Sequence, residues 1–316
     1  MNRQTFFLIP IIILLFSSLF AQHDYPVPTV TQPLINYDVT NYRLEWWIDF
    51  DHHSYSAHQT VSLLSLTEID SVVFDARAME IDSVLYNSSM LEFTSTDSSL
   101  VIFLAEPFFA EDTFSLQIYY HRDMGTGFYR AFTRRGDRIY FTLCFASVAR
   151  YLFPSVDDPL DKATFDLHFH LPSEGYIVAS NGLLIDSTST YFHWRENYPM
   201  ATYLFAVHIF PYSVIRYTSS VEVPVELYFY PQDSGRVTRD FGRLDSILSY
   251  WCELFGEYPF EKVGYAEAPC WGGWGAMEHQ TIITMGDRLI TGSGTFESII
   301  AHELTHQWFG NCITPA

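Results

Sequence analysis

The sequence predicts a multidomain protein in which an all-β region is followed by the first part of an α+β domain. At 316 residues the chain is long enough for about two domains, each with its own core. Between about Tyr37 and Ser219, apolar and polar residues alternate in short runs, which is typical of β-strands. After about Val221, strand-like runs alternate with segments of helical periodicity.

The strand pattern is clearest in three runs, at residues 42–50, 114–120 and 165–171. Apolar side chains occupy every second position there, so each strand would bury one of its faces. Turn-forming residues such as Pro172-Ser173-Glu174-Gly175 separate these runs from their neighbours. We place the boundary between the domains near residue 218, which gives a β domain at 22–218 and a second domain at 219–316.

Two amphipathic helices are predicted in the second domain, with strands near 262–266 and 281–284 between them. Apolar residues fall at helical spacing from Val237 to Phe255. A later apolar stripe predicts another helix, for which Thr295 is a suitable N-cap and Gly310 a suitable stop signal.

The later helix carries the sequence His-Glu-Leu-Thr-His at residues 302–306. Positions four apart lie on the same helix face, so His302 and His306 can both bind one Zn²⁺. Glu303 lies beside them and is the predicted catalytic general base. The alternative is a chance arrangement in a chain that contains 12 histidines.

Two further stretches accompany this motif. The sequence Gly-Gly-Trp-Gly-Ala-Met-Glu-His occupies 272–279, and Ala-Arg-Tyr-Leu-Phe-Pro-Ser-Val-Asp-Asp-Pro occupies 149–159, followed by Lys-Ala-Thr-Phe at 162–165. Together with the zinc motif and the Gln-Trp-Phe-Gly-Asn that follows it, they resemble the zinc aminopeptidases of the aminopeptidase N and leukotriene-hydrolase family, which are gluzincins. The resemblance extends from about residue 149 to 311. It implies a saddle-like N-terminal β domain and a thermolysin-like catalytic domain.

The resemblance also implies an activity, the removal of N-terminal residues from peptides by metal-activated water attack. Glu278 would hold the substrate's α-ammonium group, which is largely protonated near neutral pH. Gly275, Ala276 and Met277 would contact the substrate backbone beside it. The expected partners are therefore peptides with a free N-terminus. By its residues alone, the segment is more typical of a glycine-rich turn followed by a solvated glutamate, and the family resemblance is what favours the substrate anchor.

The chain departs from the family pattern at several positions. His279 and Ser155 stand where the family usually has Asn and Cys. Leu143 and Phe145 stand where the family often has Gln or Glu in contact with the substrate's amino terminus, which puts strict aminopeptidase specificity in question. The family's third zinc ligand, a glutamate, would lie beyond Ala316. We therefore expect a fragment, truncated at its C-terminus and inactive by itself.

Two other functions stay open. The same fold could serve as a non-catalytic binding or scaffold protein. The same zinc site could also belong to an endopeptidase or an epoxide hydrolase, which would not require a free amino terminus on the substrate.

Charge and the N-terminal segment bear on partners and location. The chain has 37 Asp and Glu against 17 Lys and Arg, a formal charge of -20, which argues against nucleic-acid binding. Residues 1–21 combine Arg3, an apolar run and Ala21 at a suitable cleavage point, which predicts a signal peptide and a secreted or periplasmic protein. An uncleaved membrane anchor is the alternative. No membrane span is expected after cleavage.

Overall fold

The computed structural model of the protein describes residues 35–314, so the predicted signal peptide at 1–21 lies outside the described residues. From Asn36 onward the chain forms a β-rich part followed by a smaller part with a mixed sheet and α-helices. The predicted fold class is therefore confirmed. The helices within residues 35–314 are too short or too polar to cross a lipid bilayer.

The β-rich part contains fifteen strands within the described residues. They are β1 Tyr37–Asp49, β2 Ser54–Ser65, β3 Ile69–Asp75, β4 Glu80–Tyr86, β5 Ser89–Met90, β6 Phe93–Ser95, β7 Ser99–Phe108, β8 Thr113–Asp123, β9 Phe128–Phe132, β10 Arg138–Thr142, β11 Lys162–His170, β12 Ile177–Ser180, β13 Leu183–Ser187, β14 Tyr191–Ala201 and β15 Val207–Phe210. They form an eight-stranded sheet in the order β13-β14-β11-β1-β2-β8-β4-β5, a four-stranded sheet β12-β15-β10-β9 and a three-stranded sheet β3-β7-β6.

Strand β1 lies near the middle of the largest sheet. It pairs antiparallel with β2 and parallel with β11, although β11 follows it by more than 100 residues in the chain. Tyr42, Leu44 and Trp46 are fully buried on one face of β1, as the predicted alternation requires. Trp46 stacks on Tyr55 of β2 with ring centroids 4.4 Å apart, so aromatic packing joins neighbouring strands of the core.

The opposite face of this sheet carries a compact polar network around Asp166. His193 and His168 approach its carboxylate at 2.6 and 3.1 Å, and the guanidinium groups of Arg43 and Arg195 at 3.0 and 3.3 Å. Burial alone would raise the pKa of Asp166, but the hydrogen bonds from the two histidines outweigh it and lower this pKa. His168 of β11 and His193 of β14 are thus structural partners of a carboxylate that also pairs with two arginines.

The second part contains five strands and three α-helices within the described residues. They are β16 Ser213–Thr218, β17 Pro224–Phe229, α1 Ser234–Asp240, α2 Leu244–Phe255, β18 Val263–Ala268, β19 Ala276–Met277, β20 Ile283–Gly286 and α3 Glu297–His306. The sheet order is β16-β17-β18-β20-β19, in which β17, β18 and β20 are parallel and the two outer strands are antiparallel. This sheet includes β16, which precedes residue 219, and the boundary near 218 stays a prediction.

Two helix predictions need correction. The amphipathic segment from Val237 to Phe255 is divided into α1 and α2, because the chain turns at 241–243, where Gly242 weakens the helix and Phe241 packs edge-on against Tyr265. The last helix begins at Glu297 rather than after Thr295, and no side chain caps its N-terminus.

Asp161, just before β11, gives the protein a pH-dependent stability. Only 9% of its surface is exposed. Burial, with the nearby Asp38 and Asp158, raises its pKa from 3.8 to about 7. Between these values the folded chain keeps a proton that the unfolded chain has lost, so this residue's contribution to stability falls as the pH rises.

We therefore expect Asp161→Asn to be more stable than the wild type at pH 8, by roughly 2–4 kcal/mol since each tenfold change in proton affinity is worth ~1.4 kcal/mol. The advantage should shrink toward pH 4. Urea unfolding of both proteins at several pH values would measure it. A constant difference across this range would exclude Asp161 as the titrating group.

Candidate active site

Helix α3 is fixed against the second core by one of its faces. Ile300 and Leu304 are fully buried among residues of β17, β18 and β20, and Trp308 continues the same face beyond the helix end. The hydroxyl of Tyr265 in β18 donates to the carbonyl of Ile300 at 2.8 Å. The helix therefore cannot rotate without disrupting the core, and the residues of its other face are held in a defined direction.

That other face carries His302 and His306. Their rings are nearly perpendicular, with centroids 4.8 Å apart, and the two Nε2 atoms are 3.2 Å apart. The Nδ1 of His306 donates to the carbonyl of Phe309 at 3.0 Å, which leaves its Nε2 as the bare nitrogen. Burial and the neighbouring His306 lower the pKa of His302, which favours its neutral form. Neutral imidazoles with converging lone pairs are the form that binds a metal.

The spacing of these nitrogens fits zinc. Two Zn–N bonds of about 2.0–2.1 Å at a tetrahedral angle place their nitrogens roughly 3.3–3.4 Å apart. The observed 3.2 Å between the Nε2 atoms of His302 and His306 is close to this value. The hydrogen bond from His306 to a backbone carbonyl is also the usual way in which a zinc-binding histidine is oriented.

Two carboxylates lie beside the histidine pair. Oxygen atoms of Glu278 and Glu303 and a ring nitrogen of His306 are all within 4.8 Å of one another. Glu303 is only 7% exposed, and its pKa is raised to about 7 by burial and by the negative charge of Glu278. The structure thus brings together the four side chains that the sequence assigned to metal binding, catalysis and substrate anchoring: His302, Glu303, His306 and Glu278.

Gly275, Ala276 and Met277 form the edge of the five-stranded sheet next to this group. Ala276 and Met277 constitute β19, which pairs with β20 through Met285 and Thr284 and leaves its other side without a strand partner among the described residues. The indole ring of Trp271 covers Gly275 so closely that a Cβ atom would lie 2.3 Å from it, which explains the glycine. An open strand edge of this kind can pair with an extended peptide.

The position of Glu278 is set by residues to which the sequence assigned no role. Asn311 and Gln307, which follow α3, donate side-chain hydrogen bonds to the carbonyl of Glu278 at 2.7 and 3.2 Å. The ammonium group of Lys162 in β11 donates to the carbonyls of Asn311 and Cys312 at 2.7 and 3.0 Å. Glu278 is therefore tied to the end of α3, and that end is tied to the β-rich part. Asn311, Gln307 and Lys162 all belong to the sequence motifs described above. Their place in these motifs was the sequence signal that could have identified them as functional residues.

The other residues of the motifs and their neighbours make contacts that stabilise the fold. Arg150 makes ion pairs with Asp157 at 2.8 Å and with Asp75 at 3.1 Å, and so fixes the loop before β11. Leu143 is buried, whereas Phe145 is 40% exposed and lies with its ring 6.2 Å from that of Trp271. An aromatic pair thus occupies the place at which the family often has a polar contact.

A β-rich part joined to a mixed sheet, with two histidines and a glutamate on a helix near an open strand edge, is the arrangement expected of a metallopeptidase. The comparisons with known proteins agree. Residues 38–204, more than half of the chain, match the peptidase M1 N-terminal domain, and residues 244–316 match the peptidase family M1 domain. The chain belongs to peptidase family M1.

Individual relatives show how much of the family this chain represents. Glutamyl aminopeptidase of Sus scrofa is 32% identical over 183 residues, which are 52% of this chain and 19% of that protein. Endoplasmic reticulum aminopeptidase 2 of Bos taurus is 25% identical over 335 residues, covering 94% of this chain and 34% of the relative. The chain therefore spans a minor part of the length of these relatives.

Solved structures share the fold at lower identity. The M1 zinc metallopeptidase from Deinococcus radiodurans has a TM-score of 0.75 and 21% identity, over 88% of this chain and 65% of that one. Yeast LTA4 hydrolase has a TM-score of 0.78 and 22% identity, over 87% of this chain and 44% of that one.

Proposed function

We propose that the protein is a zinc-dependent aminopeptidase. The observation that carries the proposal is the pair of Nε2 atoms of His302 and His306, 3.2 Å apart on a helix whose other face is fixed in the core. The carboxylates of Glu303 and Glu278 beside them supply the two further roles that an aminopeptidase needs, which are a proton carrier and an anchor for the substrate's amino group. Membership of family M1 supports the same conclusion.

Each residue has one role in this proposal. His302 and His306 hold the zinc ion, which when bound makes water more acidic and polarises the scissile carbonyl. The carboxylate of Glu303 accepts the proton of the attacking water and then delivers it to the nitrogen of the leaving amine. Burial of Glu303 keeps bulk water from competing for that proton.

Glu278 determines which peptide bond is cleaved. Its carboxylate holds the substrate's α-ammonium group by charge-assisted hydrogen bonds, which are about twice as strong as neutral ones. Since a carboxylate oxygen of Glu278 lies within 4.8 Å of a ring nitrogen of His306, an ammonium held by Glu278 would bring the first peptide bond close to the histidine pair. The substrate's backbone pairs with the open edge at Gly275, Ala276 and Met277.

The zinc site requires one more protein ligand. Zinc sites in peptidases of this type use three protein ligands and leave a fourth position open. His302 and His306 supply two of these ligands, and the family resemblance implies a glutamate as the third. The alternative function is a non-catalytic binding or scaffold protein on the same fold. The intact set of His302, Glu303 and His306 favours the enzyme over the scaffold.

Export of the protein, with residues 1–21 as a signal peptide, stays a prediction.

The experiment is a substrate comparison with the full-length protein. We expect about one zinc ion per chain and hydrolysis of peptides with a free amino terminus, with N-acetylated versions of the same peptides almost untouched. Removal of the zinc with a chelator should abolish the activity, and added zinc should restore it.

Three results would contradict the proposal in different ways. Equal cleavage of free and acetylated peptides would indicate an endopeptidase. Zinc without hydrolysis of any peptide would favour the scaffold. A protein without zinc would remove the basis of both enzymatic interpretations.

A further inference from the structure

A continuous chain of hydrogen bonds passes through the interior between the β-rich part and the edge strand β19. His208 of β15 contacts the hydroxyl of Thr284 in β20 at 2.8 Å, and the same hydroxyl is 2.8 Å from Nδ1 of His279. The Nε2 of His279 is 2.9 Å from the carbonyl of Cys144, which follows β10. Each of these side chains has no solvent exposure.

The direction of every hydrogen bond in this chain is determined. A carbonyl can only accept, so the Nε2 of His279 carries the proton that it donates to Cys144. Its Nδ1 is then an acceptor and receives the hydroxyl proton of Thr284. The oxygen of Thr284 in turn accepts from Nε2 of His208. An imidazole can bond in this way to two partners on opposite sides, one through each ring nitrogen.

The chain of bonds keeps this direction over the physiological range of pH. Burial lowers the pKa of His279 to about 4, and burial together with the neighbouring His279 lowers the pKa of His208 to about 3. Both rings are therefore neutral near pH 7.

His279 follows Glu278 directly, so this chain fixes the backbone on one side of the proposed anchor. The carbonyl of Glu278 is held separately by Asn311 and Gln307. The Glu278–His279 segment is thus clamped between two supports, of which one is the end of α3 and the other is the segment at Cys144 in the β-rich part.

We propose that His279 is a positioning residue for the reaction, which sets the place of the Glu278 carboxylate relative to the His302–His306 pair. The inference rests on the proposed function. His279 is fully buried, so we place it outside direct contact with the substrate. It acts through the backbone of Glu278, and the β-rich part thereby takes part in recognition of the substrate's amino terminus.

The test uses the full-length protein with two substitutions at this position. His279→Phe keeps a ring and removes both hydrogen bonds. We expect kcat/KM for a peptide with a free amino terminus to fall roughly 10- to 100-fold, because a displacement of about 1 Å can cost this much. A rise in KM should account for a large share of the loss, with zinc content unchanged. His279→Gln keeps a donor and an acceptor and should recover most of the wild-type KM.

Tyr212→Phe is the matched control. It removes another buried hydrogen bond of similar length, from the Tyr212 hydroxyl to the carbonyl of Glu267 at 2.8 Å, in strand β18, which β20 separates from β19. A general loss of folded protein lowers the apparent kcat and leaves KM unchanged. We expect this variant to keep the wild-type KM within about twofold.

An unchanged KM in His279→Phe would overturn the inference. The inference would also be overturned if KM rose by the same factor in His279→Phe and in the control Tyr212→Phe. Should His279→Phe fail to fold, Thr284→Val decides instead, since it removes the hydroxyl that orients the ring. A raised KM in Thr284→Val supports the inference and a wild-type KM refutes it. Failure of the wild type to prefer a free amino terminus would refute the proposed function itself, which is a separate result.

Discussion

Glu303→Gln in the full-length protein is expected to retain zinc and to lose nearly all peptidase activity. Glutamine has the same shape as glutamate but cannot accept and return a proton. General acid–base catalysis contributes about 10²–10⁴-fold to a rate, so we expect kcat to fall by roughly 10³-fold. The side chains of His302 and His306 do not depend on Glu303 for their mutual geometry, so metal binding should remain.

Metal analysis and peptide hydrolysis measured on the same preparation would check this result. Glu297→Gln is the matched control, because Glu297 is at the start of the same helix and pairs with Arg243 on the surface, at 2.8 Å. It should keep wild-type activity. Activity in Glu303→Gln comparable to this control would show that another group carries the proton.

Glu278→Gln is expected to remove the preference for a free amino terminus. The substitution keeps the side-chain volume and the backbone contacts with Asn311 and Gln307, but it removes the negative charge. Hydrogen bonds to charged groups contribute about 1.5–3 kcal/mol, which corresponds to a loss of roughly 10- to 100-fold in kcat/KM for free-amine peptides. Cleavage of N-acetylated peptides should not fall in parallel.

The ratio of the two rates is the decisive measurement. A residue that only stabilises the fold would lower both rates together and leave their ratio constant. Glu253→Gln, an exposed glutamate on α2, provides the control for a lost negative charge. An unchanged ratio in Glu278→Gln would place the anchor for the amino group elsewhere.

Local patterns predicted the parts of the structure that depend on local chemistry. Alternating residues in 42–50 predicted β1, and the four-residue spacing of His302 and His306 predicted that both rings would face one point. The nitrogen spacing of 3.2 Å also depends on the orientation of the rings, and that of His306 is set by its hydrogen bond to the carbonyl of Phe309.

Contacts between distant segments could not be predicted in the same way. The parallel pairing of β1 with β11 depends on the packing of the whole sheet. The break between α1 and α2 depends on the contact of Phe241 with Tyr265. Likewise, Asn311, Gln307 and Lys162 were visible as motif residues, but their partners lie in segments that only the folded chain brings together.

The bonds from Lys162 to Asn311, and from Asn311 to Glu278, bear on how such a protein can evolve. The lysine belongs to the β-rich half, whereas the asparagine and the glutamate belong to the other half. Suppose that a gene rearrangement joined only helix α3 and its sheet to a different domain. The transferred part would then lack Lys162, whose ammonium group holds the end of that helix. We therefore expect the two halves to be inherited together.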